Sequence, residues 1–289
     1  MADNMDHIFP GKPFIETTLD ALHVKDDMSR NATVPYLQRA AMAGILIGVF
    51  YGAYYTTVSV FAGLNLGSTS LVGVGKVAGS LVFGWALIFI YYTKSELLTS
   101  NMMVATIGRY YRRITWRRAF AIMGLCYLGN ALGGLLLAVF VRFSSLASGP
   151  VMAEMAHSVE VKLGYISGGP TGMIDLFVRA ILCNFMINIA MLLVYNGYVK
   201  ADFAKMCSMI AAVFIFAFLG LEHSVANTVL FLMVGLREGI DIGLAVGNIA
   251  IALLGNFVGG GLLIGAYYAY VNDAKRHLHL EDDSELNVP

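Results

Sequence analysis

Six stretches of this chain are long and apolar enough to be read as membrane crossings, and that feature limits its fold more than any other. They are Ala40–Ala62, Val72–Tyr92, Ala119–Val141, Met173–Tyr195, Cys207–Val234 and Ile242–Val271. A helix needs about 20 mostly apolar residues to cross the hydrocarbon of a bilayer. Hydrophobic residues make up 58% of the 289 and charged residues 13%, against roughly 45–50% and about 25% in soluble domains. The formal net charge is zero, so no global field draws a polyanion, and nucleic-acid binding is excluded. The expected fold class is an all-α integral membrane protein.

An even number of crossings leaves both termini on one side, and basic residues decide which side that is. Arg109, Arg112, Arg113, Arg117 and Arg118 lie between spans two and three; Lys200 and Lys205 follow span four; Lys275 and Arg276 follow span six. With Lys12, Lys25, Arg30 and Arg39, 13 of the 19 Lys and Arg fall on one face. The expectation is a multi-pass protein of the cytoplasmic membrane with both termini cytoplasmic. Residues 1–36 form an N-terminal segment without the apolar core of a signal peptide. Its apolar residues between Phe14 and Val24 recur at helical spacing, which predicts an amphipathic surface helix. A channel domain spans 37–272, and a polar tail follows over 273–289. Cys126, Cys183 and Cys207 each sit within an apolar run and are read as small core residues.

Two spans are interrupted. TKSELLTSN (93–101) follows span two before apolar residues resume, and LGLEHSVAN (219–227) places Glu222, His223, Ser224 and Asn227 inside span five. In lipid, irregular backbone and ionisable side chains are tolerated only against protein or a water-lined cavity. Both sites therefore read as broken helices facing a pathway.

The interruptions are copies of each other. Glu96 and Asn101 are five residues apart, as are Glu222 and Asn227, and the second pair follows the first by 126 residues. Leu128-Gly129-Asn130 with Gly133-Gly134 recurs at the same offset as Leu254-Gly255-Asn256 with Gly259-Gly260. Spans one to three (about 37–141) thus repeat as four to six (about 173–271), inverted because three is odd. Inverted repeats with broken helices are an architecture of transport proteins. The glycines read as close-packing positions, whereas Asn130 and Asn256 either pack there or bond the broken helices.

SELLTSN, CNFMINIAM in span four, LEHSVAN and GNFVGGGLLIG in span six occur in the order seen in the formate/nitrite transporter family. Over about Leu37 to Val271 the chain resembles that family. The resemblance implies aquaporin-like protomers in a homopentamer, each with its own pore for a small monovalent anion, and lipid in the central fivefold space. It implies that His223 is the pore histidine, Thr99 the threonine of the first broken helix and Asn184 the span-four asparagine. It makes Phe83, Leu87, Leu97 and Phe216 the apolar constrictions, and Lys162 a vestibule lysine. Leu98 and Ser100 flank Thr99 where the family often has Phe or Gly.

The residues also admit plainer readings. A lone buried histidine is usually a satisfied core residue, but His223 lies beside Glu222 in one of two matching breaks, and histidine changes charge near neutral pH. Glu96 and Glu222 would repel an anion if bare, so each is expected to accept bonds from helix-terminal N–H groups or an asparagine. Thr99 could cap the resumed helix, Asn184 could bond between helices, and Lys162 could be an ordinary loop lysine. The leading expectation is a channel for formate or a close monocarboxylate, proton-coupled through His223, with nitrite or hydrosulfide as alternatives. A neutral-solute pore is disfavoured because neither break carries the Asn-Pro-Ala turn of aquaporins. An enzyme is disfavoured because no His/Asp/Cys cluster surrounds His223, and neither a cofactor nor a metal is expected.

Overall fold

The computed structural model describes residues 8–277. Residues 1–7 of the N-terminal segment and 278–289 of the expected tail lie outside the described residues. The chain begins with α1 (Lys12–Asn31) and α2 (Thr33–Ala62). A short hairpin of β1 (Asn65–Leu66) and β2 (Thr69–Ser70) leads to α3 (Val72–Tyr92), α4 (Leu98–Tyr110) and α5 (Trp116–Arg142). The second half runs through α6 (Pro150–Ser167), α7 (Gly169–Tyr195), α8 (Asp202–Phe218), α9 (Ser224–Glu238) and α10 (Ile242–Asn256). A π-helical stretch, Phe257–Ala266, continues the last span into α11 (Tyr267–Val271), and α12 (Ala274–His277) ends the described chain.

Five of these segments are each long and apolar enough to cross a bilayer: Thr33–Ala62, Val72–Tyr92, Trp116–Arg142, Gly169–Tyr195 and Ile242–Val271. The sixth crossing is assembled from α8 and α9. At 17 and 15 residues, each falls short of the ~20 that a bilayer requires. Outward-facing Phe120, Phe140, Ile174, Val246 and Leu254 are exposed, as expected where the surrounding solvent is hydrocarbon. Cys126 and Cys183 are buried, but Cys207 is exposed. The reading of all three as core residues therefore fails for Cys207, because an apolar run marks lipid-facing and core positions alike.

The repeat is visible in the helix ends. Phe218 follows Tyr92, Ser224 follows Leu98 and Ile242 follows Trp116, each by 126 residues. The first span of each repeat keeps a different offset. Asn130 Nδ2 donates to the carbonyls of Ala40 and Glu96, and Asn256 Nδ2 donates to those of Ala180 and Glu222, all at 2.8–2.9 Å. Each Oδ1 accepts the N–H that opens the second half-helix, Leu98 at 3.1 Å and Ser224 at 2.9 Å. Asn130 and Asn256 thus tie first span, break and third span together, satisfying backbone groups that lipid cannot. Ala180 follows Ala40 by 140 residues, so the distance from first span to break differs between halves and hides the repeat there.

Small residues allow this closeness. A β-carbon on Gly133 would fall inside the carbonyl oxygen of Ala41, and one on Gly259 inside that of Ile181. These glycines let α5 press on α2, and the π-helical stretch on α7. The N-terminal helix is also packed rather than free at the surface. Phe14 and Leu22 are buried, Phe14 meets Tyr268 edge-on at 5.8 Å, and Gly11 N–H donates to Asn272 Oδ1 at 2.8 Å. Both described chain ends therefore share one end of the bundle, here called the terminal end.

Candidate anion pathway

Each break places a buried carboxylate against a lysine, buried at the second break and half-buried at the first. Glu222 N–H donates to the carbonyl of Arg179, which fixes the backbone entering α9, and both carboxylate oxygens lie 2.9 Å from Lys162 Nζ. Asn227 Nδ2 donates to Glu222 Oε2 at 2.6 Å and to Asn248 Oδ1 at 2.9 Å. The first repeat makes the same cluster from other residues. Glu96 N–H donates to the carbonyl of Arg39, Asn101 Nδ2 donates to Glu96 Oε2 at 3.2 Å, and the cation is Lys25. Glu96, Lys162 and Glu222 are each 7% exposed or less. A buried charge must be paired to persist, so neither carboxylate presents a bare negative charge.

His223 and Thr99 meet between these clusters. His223 is the residue preceding α9, and its Nδ1 accepts the Ala226 N–H at 3.2 Å, the bond of a helix N-cap. An accepting Nδ1 puts the proton of the neutral ring on Nε2. That Nε2 lies 3.2 Å from Thr99 Oγ1, so the ring N–H donates to the hydroxyl and the hydroxyl proton is free to point elsewhere. The carbonyl of Thr99 is held by Asn184 Nδ2 at 3.1 Å and Asn188 Nδ2 at 3.2 Å. Asn184 also donates to the carbonyl of Asn256 at 2.7 Å, at the point where α10 widens into the π-helical stretch. The α4 and α9 N-termini converge here, and such ends carry partial positive charge.

Three cavities run in series. At the terminal end a vestibule of about 270 Å³ is bounded by Lys25, Arg39, Tyr91, Lys94, Glu96 and Leu97, among others. At the opposite, distal end one of about 280 Å³ is bounded by Tyr51, Tyr55, Lys162, Arg179, Glu222 and His223, among others. Between them lies a gap of about 20 Å³, roughly the room one water needs. The gap shares Leu87, Ile90 and Leu97 with the terminal vestibule, and Phe83, Phe216, His223 and Ala226 with the distal one. His223 is the one side chain with polar atoms among those lining the gap. Phe83 and Phe216 meet edge-on at 5.8 Å, and Phe216 lies 6.0 Å from the His223 ring. The geometry is an hourglass with charged chambers and an apolar waist.

A family model described as formate/nitrite transporter matches residues 15–270. The chain belongs to the formate/nitrite transporter family. Among relatives, the formate channel FocA of Haemophilus influenzae is 30% identical over 254 residues, covering 79% of this chain and 84% of that one. The nitrite transporter NirC of Salmonella typhimurium is 26% identical over 246 residues, covering 84% and 85% respectively. A solved structure titled as a pentameric formate channel with formate bound superposes with a TM-score of 0.67 at 21% identity, covering 84% of this chain and 98% of that chain. The family comprises channels and transporters, not enzymes, and the chain has its fold.

Phe83, Leu87, Leu97, Phe216 and His223 surround one gap in this family member, and Lys162, Glu222 and Asn227 line the distal vestibule. Thr99 is fully buried beside His223, and Asn184, equally buried, lines none of these three cavities: it holds Thr99 from behind. Sequence reading missed Lys25, Asn188, Asn248 and helix α6. A signal for Lys25 was present, because Phe14, Thr18, Leu22, Lys25 and Ser29 form one helical stripe, and a lysine within a buried stripe needs a partner.

Proposed function

We propose that this chain assembles as a homopentamer in the cytoplasmic membrane, both termini inside, with lipid in the central fivefold space. Each protomer passes formate or a similar small monovalent anion, coupled to protons through His223. The observation that carries this reading is the waist: an apolar gap between two lysine-bearing chambers, with one titratable ring at its edge. Arg39 and Lys94 in the terminal vestibule and Lys76 in the distal one, none in an ion pair among the described residues, act with the helix N-termini to raise the local concentration of anions on either side. A small carboxylate with a pKa of about 3.9 is ionised at neutral pH, and stripping its water in the apolar gap costs several kcal/mol. A proton delivered at the waist gives a neutral acid that crosses. To act as an acid the ring must first be charged: a proton from a vestibule is taken at Nδ1, which releases the Ala226 N–H. The imidazolium then gives its Nε2 proton to the anion directly or through the Thr99 hydroxyl, and proton exchange with a vestibule restores the starting tautomer.

The names of the relatives support a small-anion substrate, and the pentameric neighbour supports five protomers. The test is a flux panel in liposomes with formate, nitrite, hydrosulfide, lactate and glycerol, alongside native mass spectrometry in mild detergent. Formate flux from a pentamer is expected. Faster nitrite or hydrosulfide flux would replace formate by that anion, and glycerol flux without anion flux would sink the reading.

A further inference from the structure

The helices that lead into the two breaks end in the same way. Lys94 N–H donates to the Tyr91 carbonyl at 3.2 Å and Ser95 N–H to that of Ile90 at 3.0 Å; 126 residues later, Gly220 N–H donates to Ala217 at 3.2 Å and Leu221 N–H to Phe216 at 2.9 Å. This closing turn puts one residue in the left-handed conformation, which glycine adopts freely and a β-carbon makes unfavourable. In the second repeat that residue is Gly220, with φ 64°; in the first it is Lys94, with φ 55°. Strain kept by a non-glycine residue at a cavity points to a use for its side chain.

Packing supplies only a weak cation–π contact at an exposed site. Lys94 is exposed, forms no ion pair among the described residues, and lies with its Nζ 5.0 Å from the centre of the Tyr91 ring. Both residues bound the terminal vestibule. The charge of Lys25 in that vestibule is matched by Glu96, whereas the charge of Lys94 is not matched. In the distal vestibule the equivalent turn carries no side chain. There Arg179 Nη1 donates instead to the carbonyls of Leu219 and Gly220 at 3.3 and 3.1 Å, and Arg179 is paired with Asp175 at 2.9 Å.

We infer that Lys94 is an anion-capture residue of the terminal vestibule, raising the concentration of small monovalent anions in front of the Leu87–Leu97 end of the waist. Its ligand class rests on the transport reading above. An ammonium group at a chamber mouth attracts anions without binding them so tightly that they cannot leave, as conduction requires. The contribution of Lys94 acts from the terminal side alone, because the equivalent turn in the distal chamber carries Gly220, and the exposed lysine there, Lys76, stands on a different helix, α3.

The experiment has two arms. In oriented liposomes at low salt, Lys94→Gln and Lys94→Gly are expected to raise the half-saturating formate concentration from the terminal side at least about threefold. That shift should exceed any change in maximal rate, vanish at high salt and be absent for entry from the distal side, while Lys94→Arg retains wild-type behaviour. Lys94→Gly should also unfold at a higher temperature than wild type, since it relieves the turn.

The second arm reads the local potential whatever the transported anion is. In a Cys207→Ser background, Ser100→Cys places a thiol in the terminal vestibule, and its labelling by an anionic and by a neutral methanethiosulfonate is timed. Adding Lys94→Gln should slow the anionic reagent at least about threefold and leave the neutral one unaffected. Unchanged anionic labelling, or unchanged half-saturation from the terminal side, overturns the assignment. A wild-type pentamer that passes none of the anions would defeat the transport reading instead, with labelling still deciding the role of Lys94.

Discussion

The imidazole of His223 opens one half-helix and reaches across to Thr99 in the first turn of the other, with Nε2 and Oγ1 separated by 3.2 Å. One hydrogen bond thus joins the two repeats at the narrowest point between the vestibules. The backbone N–H of Ala226 occupies Nδ1, so the resting ring is neutral with its proton on Nε2, and charging it for proton transfer puts a proton on Nδ1 and releases the cap of α9.

His223→Asn keeps a polar group of similar reach but cannot titrate. Formate uptake driven by an inward proton gradient is expected to fall at least about tenfold, within the range of a positioned acid–base group, while the pentamer persists. Flux in liposomes at two pH values either side of neutral, with matched pentamer, checks it. Wild-type rates and pH dependence in the variant would refute proton handling by His223.

Phe216 blocks the distal side of the gap, packed on Phe83 and His223. Phe216→Ala is expected to open the waist, raising flux of the larger lactate at least about threefold relative to formate and admitting water. Stopped-flow light scattering measures the water leak.

Lys162→Met removes the partner of a carboxylate that is 3% exposed. Stranding a buried charge costs about 3–5 kcal/mol, so a marked drop in the thermal unfolding midpoint is expected. The double change Lys162→Met with Glu222→Leu should recover much of the loss, because no charge remains to strand. If the double variant is as unstable as the sum of its single changes, the pair is not coupled as described.

Gly133→Ala and Gly124→Ala form a matched pair on α5. The first puts a methyl group into the carbonyl oxygen of Ala41, while the second meets nothing within 4 Å. Gly133→Ala is expected to lose at least about 2 kcal/mol through overpacking. Gly124→Ala should gain a few tenths to about 1 kcal/mol from helix propensity. Thermal unfolding of the two variants side by side decides this.

Much of this molecule was legible in its order of residues, because lipid imposes local rules. A crossing must be about twenty consecutive apolar residues, so all six spans could be found, and polar residues inside one must be explained, so both breaks stood out. The repeat appeared wherever the offset stayed at 126, from the breaks through the third spans. It was hidden in the first spans, where the chain length to the break differs by 14 residues between Ala40–Glu96 and Ala180–Glu222. Helix α6 escaped notice because it is too polar to read as a span, although Met152, Met155, Val159 and Leu163 are buried at helical spacing.

What the tertiary structure alone decided is pairing. Lys25 meets Glu96 across 71 residues, Lys162 meets Glu222 across 60, and Thr99 meets His223 across 124. Such contacts depend on how helices lean on one another through glycines such as Gly133 and Gly259, and no local pattern encodes that. The sequence by itself determined which residues could not face lipid; only the packed helices decided which partner each would find, because satisfying a buried charge or amide is a property of the space around it and not of its neighbours in the chain.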